Sequence, residues 1–319
     1  MWRALIDLLA CPACRGTLRL EDETGEGPEV SGGRLICREG NHTYTIQRGM
    51  PRMMPPPEAM EGELWSEWGE KQEGLSQRRN PPDPETKAYF EGVAAEFSAF
   101  CHPEGLILDV GCGTDSRPAY AIFSAGSTYI GIDPIVGKEE RKFDFVQGIG
   151  EALPIRPAVF DWVLSATSLD HFPEPCRVLA EVKRVLKPTG RLGLWVGVAD
   201  PDYLGRMYPL PSLRSSETRI LLWGMICQRN LRRLAKSACQ HLLINRVQSL
   251  RLKWKHWTDE SKLMNSIFAE RSVEHFRFYK EDEVLRLLWE SGYQILKRKL
   301  IADFEHGNSL FVVAAPSQV

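Results

Sequence analysis

The run Leu106-Ile107-Leu108-Asp109-Val110-Gly111-Cys112-Gly113-Thr114 constrains this chain more than any other feature. An apolar stretch closed by two glycines reads as a strand buried on both faces, ending in a turn that only small residues permit. A glycine there lets the backbone approach a ligand, and a helix opening behind it would offer its N–H groups to polar ligand atoms. About twenty residues later, Ile130-Gly131-Ile132-Asp133-Pro134 puts an acid at the tip of a second strand. A carboxylate in that place can accept hydrogen bonds from both ribose hydroxyls of an adenosine. A structural turn followed by a surface aspartate is the plainer alternative, and the strand context on both sides weighs against it. A dinucleotide site wants Gly-x-Gly-x-x-Gly, but Ser116 stands where the third glycine belongs. Asp115 would also set a carboxylate beside a pyrophosphate, which is repulsive.

Further apolar runs follow at Phe143–Val146, Phe160–Leu164 and Leu192–Val196. Between the last two, Cys176–Leu186 carries Val178, Leu179, Val182, Val185 and Leu186 at helical spacing, with Pro188-Thr189-Gly190 expected to stop the helix. Thr86–Phe100 has helical spacing too, and Glu281–Ser291 reads as an amphipathic helix before strands at Tyr293–Leu300 and Ser309–Ala314. Alternating strands and helices of this kind imply a doubly wound α/β fold. The domain boundaries read as 86–199 and 272–319 for that fold, with 57–85 as a linker and 200–271 as an insertion after the fifth strand.

The order of these segments resembles the class I methyltransferase pattern, in which an acid precedes the glycines. Gly148-Ile149-Gly150-Glu151-Ala152-Leu153-Pro154 is similar to that family's loop after strand three. Phe160–Ser165 is similar to strand four, and Glu181–Gly190 to the helix and turn before strand five. The resemblance implies a Rossmann-like sheet and S-adenosylmethionine as cofactor. It also implies a cofactor site made of Asp109, Gly111, Cys112, Gly113, Asp133, Pro134, Gly150, Glu151 and Ser165, with Asp109 near the methionine part and Asp133 on the ribose. Ile149 stands where many relatives carry an acid that meets the adenine amino group. The sulfonium already activates the methyl group, so alignment and water exclusion are the protein's main tasks. An oxygen nucleophile would also need a base; Asp170 and His171, just past strand four, are the candidates, with packing or hydrogen bonding as the alternative role for His171. His256 and His275 are more weakly placed.

Residues 1–56 read as a small separate module. Cys11-Pro12-Ala13-Cys14 is followed by Cys37 and His42, a set of soft ligands that can surround zinc tetrahedrally. The alternative is a metal-free ribbon. Leu8–Cys14, Leu35-Ile36-Cys37, Tyr44-Thr45-Ile46 and Gly49-Met50-Pro51 resemble the short zinc-binding domain of methyltransferase activator proteins. Gly40 occupies the position where that domain's last cysteine is expected, and His42 is the candidate replacement, as a histidine completes the zinc site of bacterial rRNA guanine-N1 methyltransferases.

Residues 214–255 hold ten Lys or Arg against one acid, Glu217, a local charge of +9 in a chain of net charge −2. Interleaved leucines and isoleucines make amphipathic helices the expectation, lying as a lid over the active-site mouth. Such a cover can be a solvated face, attract an anionic or lipid-like substrate with peripheral membrane contact, or hold RNA by its phosphates. The C-terminal part resembles small-molecule and quinone-type methyltransferases. Methylation of a small-molecule or lipid-like metabolite at O, N or C is therefore expected, with an rRNA or tRNA base methyltransferase or a non-catalytic cofactor-binding partner protein as alternatives. No apolar run reaches the roughly 20 residues that span a bilayer. The early Cys pair leaves no room for a signal peptide, so a cytoplasmic location is expected. Three of the eight cysteines fall in the first 37 residues, a metal-site pattern and not a disulfide framework.

Overall fold

The computed structural model describes residues 1–60, 65, 68, 84–198, 279–302 and 308–317. The basic insertion, His256 and His275 lie outside the described residues, as does the rest of the linker. No helix among the described residues is long and apolar enough to cross a membrane.

The chain opens with a one-turn helix, Arg3–Ile6, and an antiparallel meander of β1 (Leu18–Thr24), β2 (Gly32–Cys37), β3 (Thr43–Gln47) and β4 (Met50–Arg52). After helix α1 (Pro84–Cys101) come β5 (Leu106–Val110), β6 (Thr128–Asp133), β7 (Asp144–Gln147) and β8 (Phe160–Ala166). Helix α2 (Pro175–Val185) leads into β9 (Leu186–Val198), and α3 (Glu281–Glu290) precedes β10 (Tyr293–Ile301) and β11 (Asn308–Pro316). Among the described residues eleven strands join one sheet in the order β1-β2-β3-β4-β7-β6-β5-β8-β9-β11-β10. From β7 to β9 the pairings are parallel, and β11 returns antiparallel between β9 and β10. The chain direction through the sheet reverses between β5 and β8, so a ligand crevice belongs outside their carboxyl ends.

Three expectations are corrected here. The N-terminal module is not a body apart: β4 adds in parallel to the open edge of β7, pairing Arg52 with Gln147. Its Leu5, Leu9, Leu35 and Met53 share one buried cluster with Leu108, Ile132 and Leu153, because neither a four-stranded meander nor a bare sheet edge can bury its apolar face alone. Next, no helix follows the glycine loop. Residues 111–127 and 134–143 run between strands without an α-helix. Asp115 and Ser116 compete for the backbone, Pro118 disfavours helical geometry in the residue before it, and Gly126 adds a further break. Finally, α2 ends at Val185, and Pro188-Thr189-Gly190 lies inside β9 rather than in a stop turn.

The two faces of the sheet are packed by different means. Val178, Leu179, Val182 and Val185 bury one side of α2 against Leu108, Val110 and Val163. On the other face Phe97 of α1 is fully buried, its ring 5.2 Å from Phe311 and 5.8 Å from Trp195. Burying such a side chain contributes about 2–3 kcal/mol. Phe90, on the same helix, is exposed.

Candidate cofactor and metal sites

The glycine loop leaves β5 at Gly111, whose φ of 79° and N–H bond to the Ile132 carbonyl (2.9 Å) form the turn. A Cβ on Gly111 would lie 2.5 Å from Cβ of Ser168, so this glycine is required by both conformation and space. Gly113 also has a positive φ, 71°, yet a Cβ there meets nothing within 4 Å. That open side of the loop lies next to Asp133, whose Oδ2 accepts the Gly113 N–H at 2.9 Å and whose Oδ1 accepts the Ile135 N–H at 2.8 Å. Two backbone donors fix the carboxylate at the tip of β6, where it is 7% exposed. The Pro134 carbonyl is held by Gln147 Nε2 (2.8 Å), and Arg52 of the N-terminal module donates to Gln147 Oε1 (2.9 Å).

Asp109 is 0% exposed. Its Oδ2 accepts the hydroxyls of Tyr120, at 2.8 Å, and Tyr129, while Oδ1 has no protein partner. Burial pushes its carboxyl up to about 7 despite those two bonds. The Cys112 side chain is buried and packs toward Gly131, which leaves only its backbone on the loop's open side. Arg141 closes the underside of the loop: one Nη2 donates to the carbonyls of Gly113 (2.8 Å), Ile135 (3.0 Å) and Val136 (3.1 Å), with the guanidinium 3.7 Å above the Phe145 ring.

The loop after β7 forms a 3-10 turn, Gly150–Ala152. A Cβ on Gly150 would lie 3.1 Å from Val178 and 3.2 Å from Val110, so the turn sits tightly on the sheet. Glu151 is turned inward: it accepts the Glu174 N–H (3.3 Å), and burial raises its carboxyl to about 7. Ile149 packs with Ala152 and Trp65, an apolar wall in place of the acid that many relatives carry. Past β8, Ser165 and Ser168 share a 2.7 Å hydroxyl contact, and Ser168 donates to the Val110 carbonyl. Asp170 and His171 occupy the 3-10 turn Leu169–His171, both half-buried. Ser168, Tyr120, Tyr129 and Arg141 were missed by sequence reasoning. Tyr120 and Arg141 lie in irregular loops that carry no spacing signal, whereas Tyr129 lies on β6 and Ser168 just past β8, where the strand pattern gives no hint of what their hydroxyls bond.

In the N-terminal module, Cys11, Cys14, Cys37 and His42 converge so that their ligand atoms all lie within 4.8 Å of one another. Cys11 Sγ is 3.4 Å from His42 Nδ1, and Cys14 Sγ is 3.4 Å from Cys37 Sγ. These are close to the ligand–ligand edges of a tetrahedron with about 2.3 Å zinc–sulfur and 2.0 Å zinc–nitrogen bonds. Burial opposes ionisation of Cys11, but the Tyr44 hydroxyl and nearby backbone N–H groups outweigh it and bring the thiol down to about 7. Burial pushes Cys37 up to about 11. The Gly40 N–H reaches Cys37 Sγ at 3.3 Å, and a Cβ on Gly40 would stand 2.5 Å from His42 Cε1. The His42 ring thus fills the space that a side chain at position 40 would need.

Residues 108–194 match the family model described as "Methyltransferase domain", and residues 3–49 match that of "Trm112p-like protein". The chain carries a methyltransferase domain. The methyltransferase match spans β5 to β9, and the Trm112p-like match spans the N-terminal module that precedes it. An uncharacterized protein of Methanocaldococcus jannaschii is 34% identical over 115 residues, 33% of this chain and 51% of that protein. The demethylmenaquinone methyltransferase of Renibacterium salmoninarum is 40% identical over 98 residues, 28% of this chain and 40% of that protein. The chain thus spans about half the length, or less, of these curated relatives. Among solved structures, a chain from the complex of the Haloferax volcanii Trm112 methyltransferase activator with a methyltransferase aligns at 12% identity and a TM-score of 0.45. That alignment covers 79% of this chain and 98% of that one.

Proposed function

We propose that this protein transfers the methyl group of S-adenosylmethionine to a small-molecule or lipid-like acceptor. The observation that carries the cofactor part is the pairing of Asp133 with the open side of Gly113: a carboxylate fixed by two backbone N–H groups, at the carboxyl end of a parallel strand, beside empty space. Asp133 would accept the ribose hydroxyls. The buried Asp109 Oδ1, which has no protein partner, fits the ammonium of the methionine part, because an unsatisfied buried carboxylate oxygen is costly and a cation relieves that cost. Ile149, backed by Trp65, offers adenine an apolar wall. When bound, the cofactor supplies an already activated methyl group; the chain has to orient it and keep water away. Asp170 and His171, on the 3-10 turn past β8, would take a proton from an oxygen acceptor.

The named relative that methylates demethylmenaquinone supports a quinone- or lipid-like acceptor. The +9 of residues 214–255 favours an anionic acceptor, and RNA is the second reading it supports. Cys11, Cys14, Cys37 and His42 would hold a structural zinc ion, whose binding contributes folding energy to a module with little core of its own. Two measurements test these assignments. Calorimetric titration should show S-adenosylmethionine binding that Asp133→Ala weakens at least tenfold, and a wild-type protein that binds none refutes the proposal. Incubation with methyl-labelled cofactor and fractionated cell extract should put label in the organic-soluble pool; label in RNA instead overturns the acceptor class.

A further inference from the structure

The knuckle that carries Cys11 and Cys14 does not end inside its module. Arg15, next in sequence, has a φ of 66°, and its N–H donates to the Cys11 carbonyl at 2.8 Å. Its backbone is therefore part of the metal-ligand turn. Its side chain crosses into the methyltransferase domain: Nη2 pairs with Glu181 Oε1 at 2.8 Å, and Nη1 reaches the carbonyls of Pro12 (3.2 Å) and Leu153 (3.5 Å). Glu181, on α2 and only 10% exposed in its side chain, accepts the Leu153 N–H through Oε2 at 3.0 Å. Arg184 completes the set by bonding Glu181 Oε2 (2.8 Å) and the carbonyls of Leu153 (3.0 Å) and Ile155 (2.7 Å).

The backbone beside this network is laced to the knuckle as well. The Ala10 N–H donates to the Pro154 carbonyl (3.0 Å) and the Arg156 N–H to the Leu8 carbonyl (2.8 Å). Residues 153–156 are thus held from the side of the four-ligand cluster, while Ile149, which offers adenine its apolar wall in the function proposed above, leads into the turn immediately before them, Gly150–Ala152. A charge-assisted contact that needs one rotamer of a long side chain is strong only when its backbone anchor is fixed. Filling the four-ligand site fixes Cys11 and Cys14, and with them the direction in which Arg15 leaves the turn. An empty site frees the knuckle and lets the Arg15–Glu181 contact compete with solvent.

We propose that Arg15 is a positioning residue that couples metal occupancy of the Cys11–Cys14–Cys37–His42 site to cofactor affinity at the 149–155 loop. The inference rests on the cofactor reading above and adds to it a route by which the N-terminal module regulates that same site. Coupling of two binding equilibria is reciprocal, so the cofactor must also tighten zinc binding by the same factor.

The experiment is a cycle. Zinc-loaded and chelator-treated wild type and Arg15→Ala are titrated with S-adenosylhomocysteine by calorimetry, and exchange of the Leu153 amide hydrogen is followed in all four without ligand. Zinc removal should weaken wild-type affinity about tenfold and Arg15→Ala affinity less than twofold, because the link is already cut. Zinc-loaded Arg15→Ala should keep its metal content, bind ligand about tenfold more weakly than wild type and exchange the Leu153 amide faster. Arg15→Lys, which keeps the charge but cannot span Glu181 and Leu153 together, serves as the second variant and should fall between the two. Equal effects of zinc removal in wild type and Arg15→Ala overturn the coupling. So does a Leu153 exchange rate indifferent to both zinc and Arg15, a reading that holds without any cofactor. Failure of zinc-loaded wild type to bind S-adenosylhomocysteine, with the exchange differences present, refutes the cofactor reading instead.

Discussion

Replacing Gly40 by alanine separates metal binding from folding in a way few substitutions can. The new Cβ would sit 2.5 Å from His42 Cε1, 2.6 Å from its Nδ1 and 3.2 Å from Cys14 Sγ, where ordinary contact begins at 3.4 Å. The ring must therefore retreat by about 0.9 Å, several times the roughly 0.2 Å by which zinc–ligand distances vary. In the metal-free protein that retreat is cheap, because His42 is half-buried and its ring can swing outward. Gly40 is also absent from the glycines with left-handed φ, so alanine meets no backbone penalty. The metal-free variant should match wild type within about 1 kcal/mol, with any shift on the stabilising side. With zinc, one of four ligands is lost, and affinity should fall at least tenfold, about 1.4 kcal/mol. Competition against a chromophoric chelator measures the affinity, and thermal melts with and without chelator measure the stability. Zinc affinity within threefold of wild type in both Gly40→Ala and His42→Ala would show that His42 is not a ligand and that the steric reading of Gly40 is wrong.

The two loop glycines should behave differently. Gly111→Ala combines a φ of 79° with a 2.5 Å approach to Ser168, and should cost roughly 2–4 kcal/mol in urea unfolding. Gly113→Ala, with open space around it, should cost only about 1 kcal/mol while weakening cofactor binding more than tenfold; equal stability losses would contradict the geometry. Asp109 predicts a pH dependence: its folded pKa of about 7 lies above the roughly 3.9 of an unfolded aspartate. The native state therefore binds the extra proton, and stability without ligand should fall as pH rises from about 4 to 7, with Glu151 contributing in the same direction. A ligand ammonium beside Asp109 favours the ionised form, so cofactor affinity should rise from pH 6 to 8. Asp109→Asn should flatten both trends, and a wild-type affinity constant over that range would remove Asp109 from the cofactor site.

The sequence alone determined the parts that follow from local periodicity and from residues with few alternatives. Strands β5, β6 and β8 and helices α2 and α3 were legible within about two residues, because a parallel core needs continuous apolar runs and its helices need one apolar stripe. Gly111, Gly113 and Asp133 were legible because the turn and the strand tip each admit few residue types. Cys11, Cys14, Cys37 and His42 stand out in the sequence by their chemistry, and only the fold brings their ligand atoms within 4.8 Å of one another. What the tertiary structure decided was everything carried by contacts between distant segments. The joining of β4 to β7 depends on an edge left unpaired by a fold ninety residues further along the chain, and no local pattern records that. The absent helix after Gly113, the hydroxyls of Tyr120 and of Tyr129 on β6 that meet Asp109, and the Arg141 brace under the loop are packing choices between segments that no local pattern records. The same holds for Arg15. By sequence it is one more exposed cation after a cysteine; only the fold sets Glu181 and Leu153 against it and makes the Cys11–Cys14 turn and the 149–155 loop neighbours.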